Sequence, residues 1–298
     1  MDFLERFNRA IEYIEDHLAD QLDYEDVAKI ACCSVYNFQR MFSYMMDLPL
    51  SEYVRRRRLT LAAVELQHHH IKIMDLAIKY GYESHDSFTR AFHKMHGVTP
   101  SQARKQGAVL LSYPRISFHI SVKGAEEMRY SIVDKDAFEI FGMEEIFSLT
   151  NDPTNKSVPE FWQECHANGS YEALFDAANL HKRGETYTGL CAIHAALNYR
   201  DTGRSTYPYM LFAFVTEQSN PTGYTRITVP AHKWAVFTSE EHTDSQIGYM
   251  IQQLWKRIYS EWLPASGYDK LDGPDIEIYG NAGNGTYYSE VWMPVVKK

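Results

Sequence analysis

One supersecondary unit occurs twice in the chain, and this repetition restricts the fold of the first third more than any other feature. Asp26-Val27-Ala28 corresponds to Asp75-Leu76-Ala77, and Ser34, Phe38, Arg40 and Phe42 correspond to Ser84, Phe88, Arg90 and Phe92 fifty positions later. Ser51 likewise answers Ser101, and one extra residue in the second copy's turn accounts for an offset of 49 before the turn and 50 after it. Repetition on this scale means two copies of one structural unit. In the second copy Met74, Ala77, Ile78 and Tyr80 have helical spacing, Gly81 supplies a turn, and Ser84 or Asp86 can cap the next helix. Phe88, Ala91, Phe92 and Met95 then form a buried stripe. A short helix, a tight turn and a second short helix make a helix-turn-helix.

In such a unit the first helix braces the second, which offers its outward side chains to a DNA major groove. The outward set is predicted to be Tyr36, Asn37, Gln39 and Arg40 in the first copy, and His85, Asp86, Ser87, Thr89 and Arg90 in the second. Arginine can fork onto guanine, and glutamine or asparagine onto adenine. Asp86 can accept from cytosine or serve only as a helix cap. Between the copies, about Leu50 to His68 reads as one helix, roughly 28 Å long at 1.5 Å per residue. That length can hold two recognition helices near the roughly 34 Å of one DNA turn. Arg56 and Lys94 are expected on phosphates.

These residues resemble the DNA-binding domain of the AraC/XylS transcription regulators over about residues 6 to 105. The EYVRRRRL run, Ala77-x-x-x-Gly81-Tyr82-x-Ser84, Ser87-Phe88-Thr89-Arg90-Ala91-Phe92 and Gly97-Val98-Thr99-Pro100 carry the resemblance. It implies that both second helices contact bases. One departure stands out: Cys32 occupies the first turn, where the family usually has glycine. If that position needs a positive φ, a non-glycine residue costs roughly 1 kcal/mol.

The net charge of −9 looks wrong for a DNA binder until it is divided. Residues 1–106 carry −1 and residues 107–298 carry −8. In the first part the positive charges cluster at Arg40, Arg55 to Arg58, Arg90, Lys94, Arg104 and Lys105. Local fields rather than the total attract phosphate. The competing reading of the arginine run is a solvated helix face with one or two internal ion pairs. No run of about 18 apolar residues points to a membrane span, and the charged start Met1-Asp2-Phe3-Leu4-Glu5 is unlike a signal peptide. Cys32, Cys33, Cys165 and Cys191 form no C-x-x-C pair, which suits free thiols in the cytoplasm.

Residues 2–18 are expected to form an amphipathic helix with Phe3, Phe7, Ile11 and Ile14 on one stripe. The reading domain is placed at 1–106, a linker at 107–111 and a second domain at 112–298. There Ile116, Phe118, Ile120 and Val122 alternate with polar residues as in a half-buried strand. Strands are also expected at 129–133, 138–142, 189–195, 209–215, 225–229, 234–239, 276–279 and 286–296. Ser157-Val158-Pro159-Glu160 is a capping box opening a helix, a second helix covers about 171–178, and a long amphipathic helix covers 247–262. This order indicates an α+β domain with a pseudo-repeat.

All five tryptophans fall in this acidic second domain, which suggests a small-molecule sensor. On the last strand Tyr288, Glu290 and Trp292 share a face, where a carboxylate between aromatics can hold a lipophilic cation. The same pattern also fits a solvent-facing glutamate. Residues 112–298 resemble the gyrase-inhibitor-like effector-binding domain through Gly273-Pro274-Asp275-Ile276-Glu277-Ile278-Tyr279 and Glu290-Val291-Trp292-Met293-Pro294-Val295. The resemblance implies a pair of βαββ units around a pocket for hydrophobic, often cationic compounds, with Glu290 lining it, and a Rob-like arrangement of the two domains. The candidate ligand residues are therefore Glu290, Trp292, Tyr288, Glu277 and Trp162.

His68-His69-His70 lacks a carboxylate or cysteine at ligand spacing, and neither a metal nor a cofactor is expected. A hydrolase is the rival for the second domain, with Glu290 as general base, but catalysis also needs a positioned water and an electrophile-stabilising group that the sequence does not identify. A protein-interaction module is the third reading. The expected partners are double-stranded DNA and a small-molecule effector, with RNA polymerase as a further candidate.

Overall fold

The computed structural model describes residues 3–105, 107–118, 127–149, 155–180, 193–203, 206–283 and 285–298. The chain divides into two compact units, Met1–His119 and Ile120–Lys298.

The first unit is helical: α1 (Phe3–Asp16), α2 (Tyr24–Ala31), α3 (Val35–Met46), α4 (Leu50–His68), α5 (Ile73–Lys79), α6 (His85–His96) and α7 (Pro100–Ala103). Both second helices begin at a serine cap, of which Ser84 was expected from sequence. The Ser34 side chain accepts from Asn37 N–H at the start of α3, and Ser84 accepts from Ser87 N–H at the start of α6. Each supplies an acceptor to a helix-end amide that has no partner within the helix. The turns also correspond. Cys32 has φ +56° and Gly81 has φ +80°, so the first copy holds a β-carbon in the left-handed region where the second has none. Gly81 is further constrained, because a Cβ there would lie 2.7 Å from Arg58 Nη1.

Each copy closes its own core. Phe7 stacks on Phe38 at 4.7 Å, while Leu59, Leu66, Leu76, Ala77, Phe88 and Phe92 are buried together in the second copy.

Residues 108–118 correct two expectations. They form neither a linker apart from the helices nor the start of a strand. They run as an extended segment on the first unit. Phe118 packs edge-on against Phe7 at 5.0 Å, and Asn8 both accepts from Phe118 N–H and donates to Phe118 carbonyl oxygen. The alternation at 116–118 that looks like a strand therefore reflects docking onto helices rather than pairing in a sheet. The rest of that expected strand, 119–122, lies outside the described residues.

The second unit is built on β1 (Arg129–Lys135), β2 (Phe138–Ser148), β3 (His194–Leu197), β4 (Thr206–Phe214), β5 (Thr225–Val229), β6 (His232–Thr238), β7 (Tyr268–Lys270), β8 (Asp275–Gly283) and β9 (Thr286–Lys297). Its described helices include α8 (Val158–Ala167), α9 (Ser170–Ala177) and α10 (Ile247–Arg257), the last continued by a π turn over Ile258–Trp262. The Ser157–Glu160 capping box opens α8 as expected. The strand expected at 189–195 is described only from Ile193 onward.

The strands lie in the order β1-β6-β9-β8-β3-β4-β2-β5, with β7 on β9, and every pairing is antiparallel. The order reads the same way outward from the β3–β8 pairing: β4 then β2 on one side, β9 then β6 on the other. One face buries Ile140, Met210, Phe212, Trp234, Ile276, Ile278 and Trp292. The opposite face buries Phe141, Leu211, Ala195 and Leu197 with Phe161 of α8 and Leu174 of α9. Gly142 is required where β2 meets β4, since a Cβ there would lie 1.8 Å from Leu211 carbonyl oxygen.

Candidate functional site

The two second helices display different surfaces. On α6, His85, Asp86, Arg90, His93 and Lys94 are exposed, with Ser87 and Thr89 half-buried beside them. Asp86 sits in the first turn, where a carboxylate suits the positive end of the helix. The α6 face is open to solvent at His85, Asp86 and Arg90.

The α3 face is more enclosed. Asn37 and Tyr36 are buried, and only Gln39 and Arg40 reach partial exposure. The Arg40 guanidinium donates to the Tyr36 hydroxyl at 2.7 Å and lies over the Tyr36 and Tyr44 rings at 5.8 and 5.3 Å. Asn37 is thus removed from the outward set, because its place on the helix turns it toward the core.

The arginine run is likewise redistributed. Arg55 and Arg56 both grip Glu52, which holds that carboxyl below the usual range despite its partial burial. Arg57 is buried and makes an ion pair with Glu15 at 2.6 Å. Arg58 donates to the carbonyls of Leu18 and Asp20. Arg55 and Arg56 keep partly exposed head groups, so the run divides between a buried ion pair at Arg57 and guanidinium groups that still reach solvent. Arg56, expected on phosphate, also lies 4.8 Å over the Tyr113 ring.

In the second unit, the five residues expected around a ligand divide between two faces of the sheet. Ile278 pairs with Glu290 and Ile276 with Trp292 across β8 and β9, so Glu290 and Trp292 share the face of Ile276, Ile278 and Trp234. There the Glu290 carboxylate accepts from Trp292 Nε1 at 2.8 Å and Thr238 Oγ1 at 3.3 Å. Lys135 Nζ stands 4.1 Å over the Trp292 ring. Tyr288 lies across Gly280, whose missing side chain makes room for the ring.

Glu277 pairs with Val291 and points to the opposite, helix-covered face. It is 5 % exposed. Its carboxylate accepts from Trp255 Nε1 of α10 and from the Tyr279 hydroxyl, both at 2.7 Å. Trp162 of α8 donates to the Tyr209 hydroxyl at 2.8 Å, and the Tyr209 and Tyr279 side chains are themselves hydrogen bonded. One polar chain therefore runs from Trp162 through Tyr209 and Tyr279 to Glu277. Burial, together with the neighbouring Glu277 carboxylate, raises both tyrosines well above their ordinary range and keeps them protonated as donors. Trp162 also meets Tyr279 edge-on at 5.6 Å, and Trp255 stacks on Tyr259 at 5.4 Å.

Tyr209, Trp255 and Tyr279 were not anticipated as site residues. Period-two spacing does put Tyr279 on the face of Glu277, but the sequence has no mark that brings Trp255 and Tyr209 to the same carboxylate. A buried carboxylate ringed by aromatics can attract a cation through charge and ring faces. Glu290 and Trp292 are not part of this cluster, because alternation along antiparallel strands sends them through the sheet.

Residues 131–295 match the family of integron-associated effector binding proteins, and residues 27–106 match a helix-turn-helix domain family. The transcriptional activator AarP of Providencia stuartii is 37% identical over 92 residues, 31% of this chain and 68% of AarP. The regulatory protein SoxS of Salmonella typhimurium is 42% identical over 94 residues, 32% of this chain and 88% of SoxS. An uncharacterised Bacillus subtilis regulator, YbfP, matches over only 32% of its own length. Among solved structures, SAV2435 bound to tetraphenylphosphonium aligns with 57% of this chain and 94% of its own, at 18% identity and a TM-score of 0.42. The chain belongs to the AraC family of helix-turn-helix transcriptional regulators and, over its second unit, to the integron-associated effector-binding proteins.

Proposed function

We propose that this regulator binds DNA through α6 and α3 and adjusts that activity when a hydrophobic cation occupies the Glu277 site. The observation that carries the reading is the buried Glu277 carboxylate, which accepts from Trp255 and Tyr279 among aromatic rings. A cation entering beside it meets the negative carboxylate, and Trp162, Tyr209 and Tyr279 offer ring faces or edges. Such binding shifts transcription only so far as the effector prefers one state of the protein over another.

On DNA, Arg90 reads a base edge, joined by His85, Asp86, Ser87 and Thr89. Gln39 and Arg40 contribute from α3, with Tyr36 holding Arg40 in place. Lys94 and Arg56 neutralise phosphates. The reading domain ends beyond Phe118 rather than at residue 106. The mirrored strand order of the second unit fits two copies of a βαββ unit, β2-α8-β3-β4 and β6-α10-β8-β9, each preceded by a strand that pairs with the other copy: β1 with β6, and β5 with β2. The protein acts in the cytoplasm without turnover of its effector, and RNA polymerase is its partner at promoters. No described helix is long and apolar enough to cross a membrane.

A tryptophan-fluorescence titration with tetraphenylphosphonium and an uncharged triaryl analogue tests the effector site, since every tryptophan lies in the second unit. Glu277→Gln should weaken binding of the cation at least about tenfold, roughly 1.4 kcal/mol, and leave the uncharged analogue unaffected. Glu290→Gln should change little. The opposite ranking would move the site to the other face of the sheet, and an unresponsive protein would remove the cation sensor.

A further inference from the structure

Outside both sites, the extended segment 108–118 is the part of the molecule whose bonding calls for a functional account. Half-exposed irregular chain ordinarily gives its amides to water. Here four amides donate to side chains: Leu111 to His96 Nδ1, Tyr113 to Thr60 Oγ1, Ile116 to the Tyr53 hydroxyl and Phe118 to Asn8 Oδ1. Arg57 donates in turn to Tyr113 carbonyl oxygen at 2.6 Å, and Asn8 to that of Phe118 at 2.8 Å. His96, Thr60 and Tyr53 are 6 %, 5 % and 3 % exposed. Polar groups drawn into a domain to this degree cost free energy unless they are bonded, and here the segment supplies those bonds.

The two ends of the segment reach different reader helices. Leu110 and Tyr113 pack on the core of the second copy, and His96 belongs to α6. Phe118 meets Phe7 and also Phe42 of α3, the latter at 6.3 Å. In sequence the two copies are joined through α4, and a helix of that length bends gently under load. A second connection between the two copies removes that freedom. Small angular changes in α4 would otherwise be magnified at the far end of α6.

We infer that residues 110–118 are a brace that fixes the placement of α6 relative to α3, so that Asn8, Thr60 and Tyr113 are positioning residues that set the half-site spacing the protein accepts. This rests on the DNA-reading role of both helices proposed above. The brace is specific to spacing because its residues sit on α1, α4 and the segment itself, away from the exposed reading face of α6. Its last described residue, Phe118, is two positions before the second unit begins at Ile120, so a force transmitted along the chain meets the brace first.

The test uses the full-length chain and a duplex selected by it from a random-sequence pool. One base pair is then inserted between the two protected blocks of that duplex. Wild type should lose about tenfold or more in affinity on insertion, comparable to a mismatched base pair. Asn8→Ala and, as a milder change, Thr60→Val should bind the original duplex somewhat more weakly but suffer an insertion penalty at least about threefold smaller. Circular dichroism and melting check that both variants are folded, and Thr60→Val stands if Asn8→Ala is not. An insertion penalty unchanged in a folded variant overturns the brace. Failure of the wild-type chain to select any duplex, or a selected duplex indifferent to Arg90→Ala, would overturn the reading role itself.

Discussion

The second helix of each copy carries an arginine at the matching place, and the two arginines have opposite circumstances. Arg90 is exposed on α6 beside His85, Asp86 and Lys94. Arg40 is half-buried on α3, bonded to Tyr36 and lying over the rings of Tyr36 and Tyr44. The turns differ in the same sense, with glycine at positive φ in the second copy and Cys32 at φ +56° in the first. A repeated motif thus conserves the core and caps while letting the outward surface diverge. Phe38 and Phe88 are both essentially inaccessible, whereas Asn37 is buried and its counterpart Ser87 is half-exposed. The second copy presents its arginine to solvent, whereas the first holds its arginine against two tyrosine rings.

The sharpest way to separate the copies is to remove a support that only the first one has. Glu15→Ala leaves Arg57 buried without its carboxylate partner and the Tyr53 hydroxyl without its acceptor. Breaking a buried pair from one side should cost about 3–5 kcal/mol, seen as a lower denaturant midpoint. A loss below about 1 kcal/mol would mean that water reaches Arg57 readily.

Next in size is the reader comparison itself. Arg90→Ala should weaken specific DNA binding by about 1–3 kcal/mol, while Arg40→Ala should cost less than half as much, because breaking its tyrosine contacts offsets part of any base contact. Equal losses in a competition assay would show that both arginines read bases alike. Lys94→Ala should act differently, lowering the salt slope of binding by about one without changing sequence preference.

Acid should distinguish the copies more gently. His96, in the second copy, is held below its usual range by burial, only partly countered by its bond to Leu59 carbonyl oxygen. Its folded form resists protonation, so the unfolded chain binds the proton first. The stabilisation is fully present above about pH 6.5 and is lost as pH falls toward the lowered folded value, with a slope no steeper than about 1.4 kcal/mol per pH unit. Melting of the wild type and His96→Gln from pH 7.5 to 5 should show a flatter dependence in the variant. Smallest of all, Cys32→Gly relieves a left-handed residue but adds freedom to the unfolded chain, so a gain of about 0.5–1 kcal/mol is expected from thermal melts. A loss there would show that the Cys32 backbone is not strained.

How much of this could be read beforehand depends on the range of the interaction. The double helix-turn-helix, the extent of α4 and the Ser84 and Ser157 caps follow from residues close in sequence, where 3.6-residue spacing and capping chemistry operate. The same local rules put Glu290 and Trp292 on one face of the last strand, and the structure keeps them there. Local rules could not say which face of the sheet the helices cover. That choice makes Glu277, rather than Glu290, the carboxylate met by Trp255, and brings Trp162 to it through Tyr209 and Tyr279. They also could not separate an alternating strand from an extended segment docked on helices, because Ile116 and Phe118 bury one side in either case.

The sequence by itself therefore determined the two-part plan, the repeated helix-turn-helix and the composition of the second unit, since periodicity, caps and turns are properties of neighbouring residues. Only the tertiary structure decided which arginine is exposed, which glutamate is enclosed and where segment 108–118 lies. The bonds of Trp255 to Glu277 and of Phe118 to Asn8 join residues 22 and 110 positions apart, whose approach is fixed by core packing and strand pairing rather than by anything written beside them.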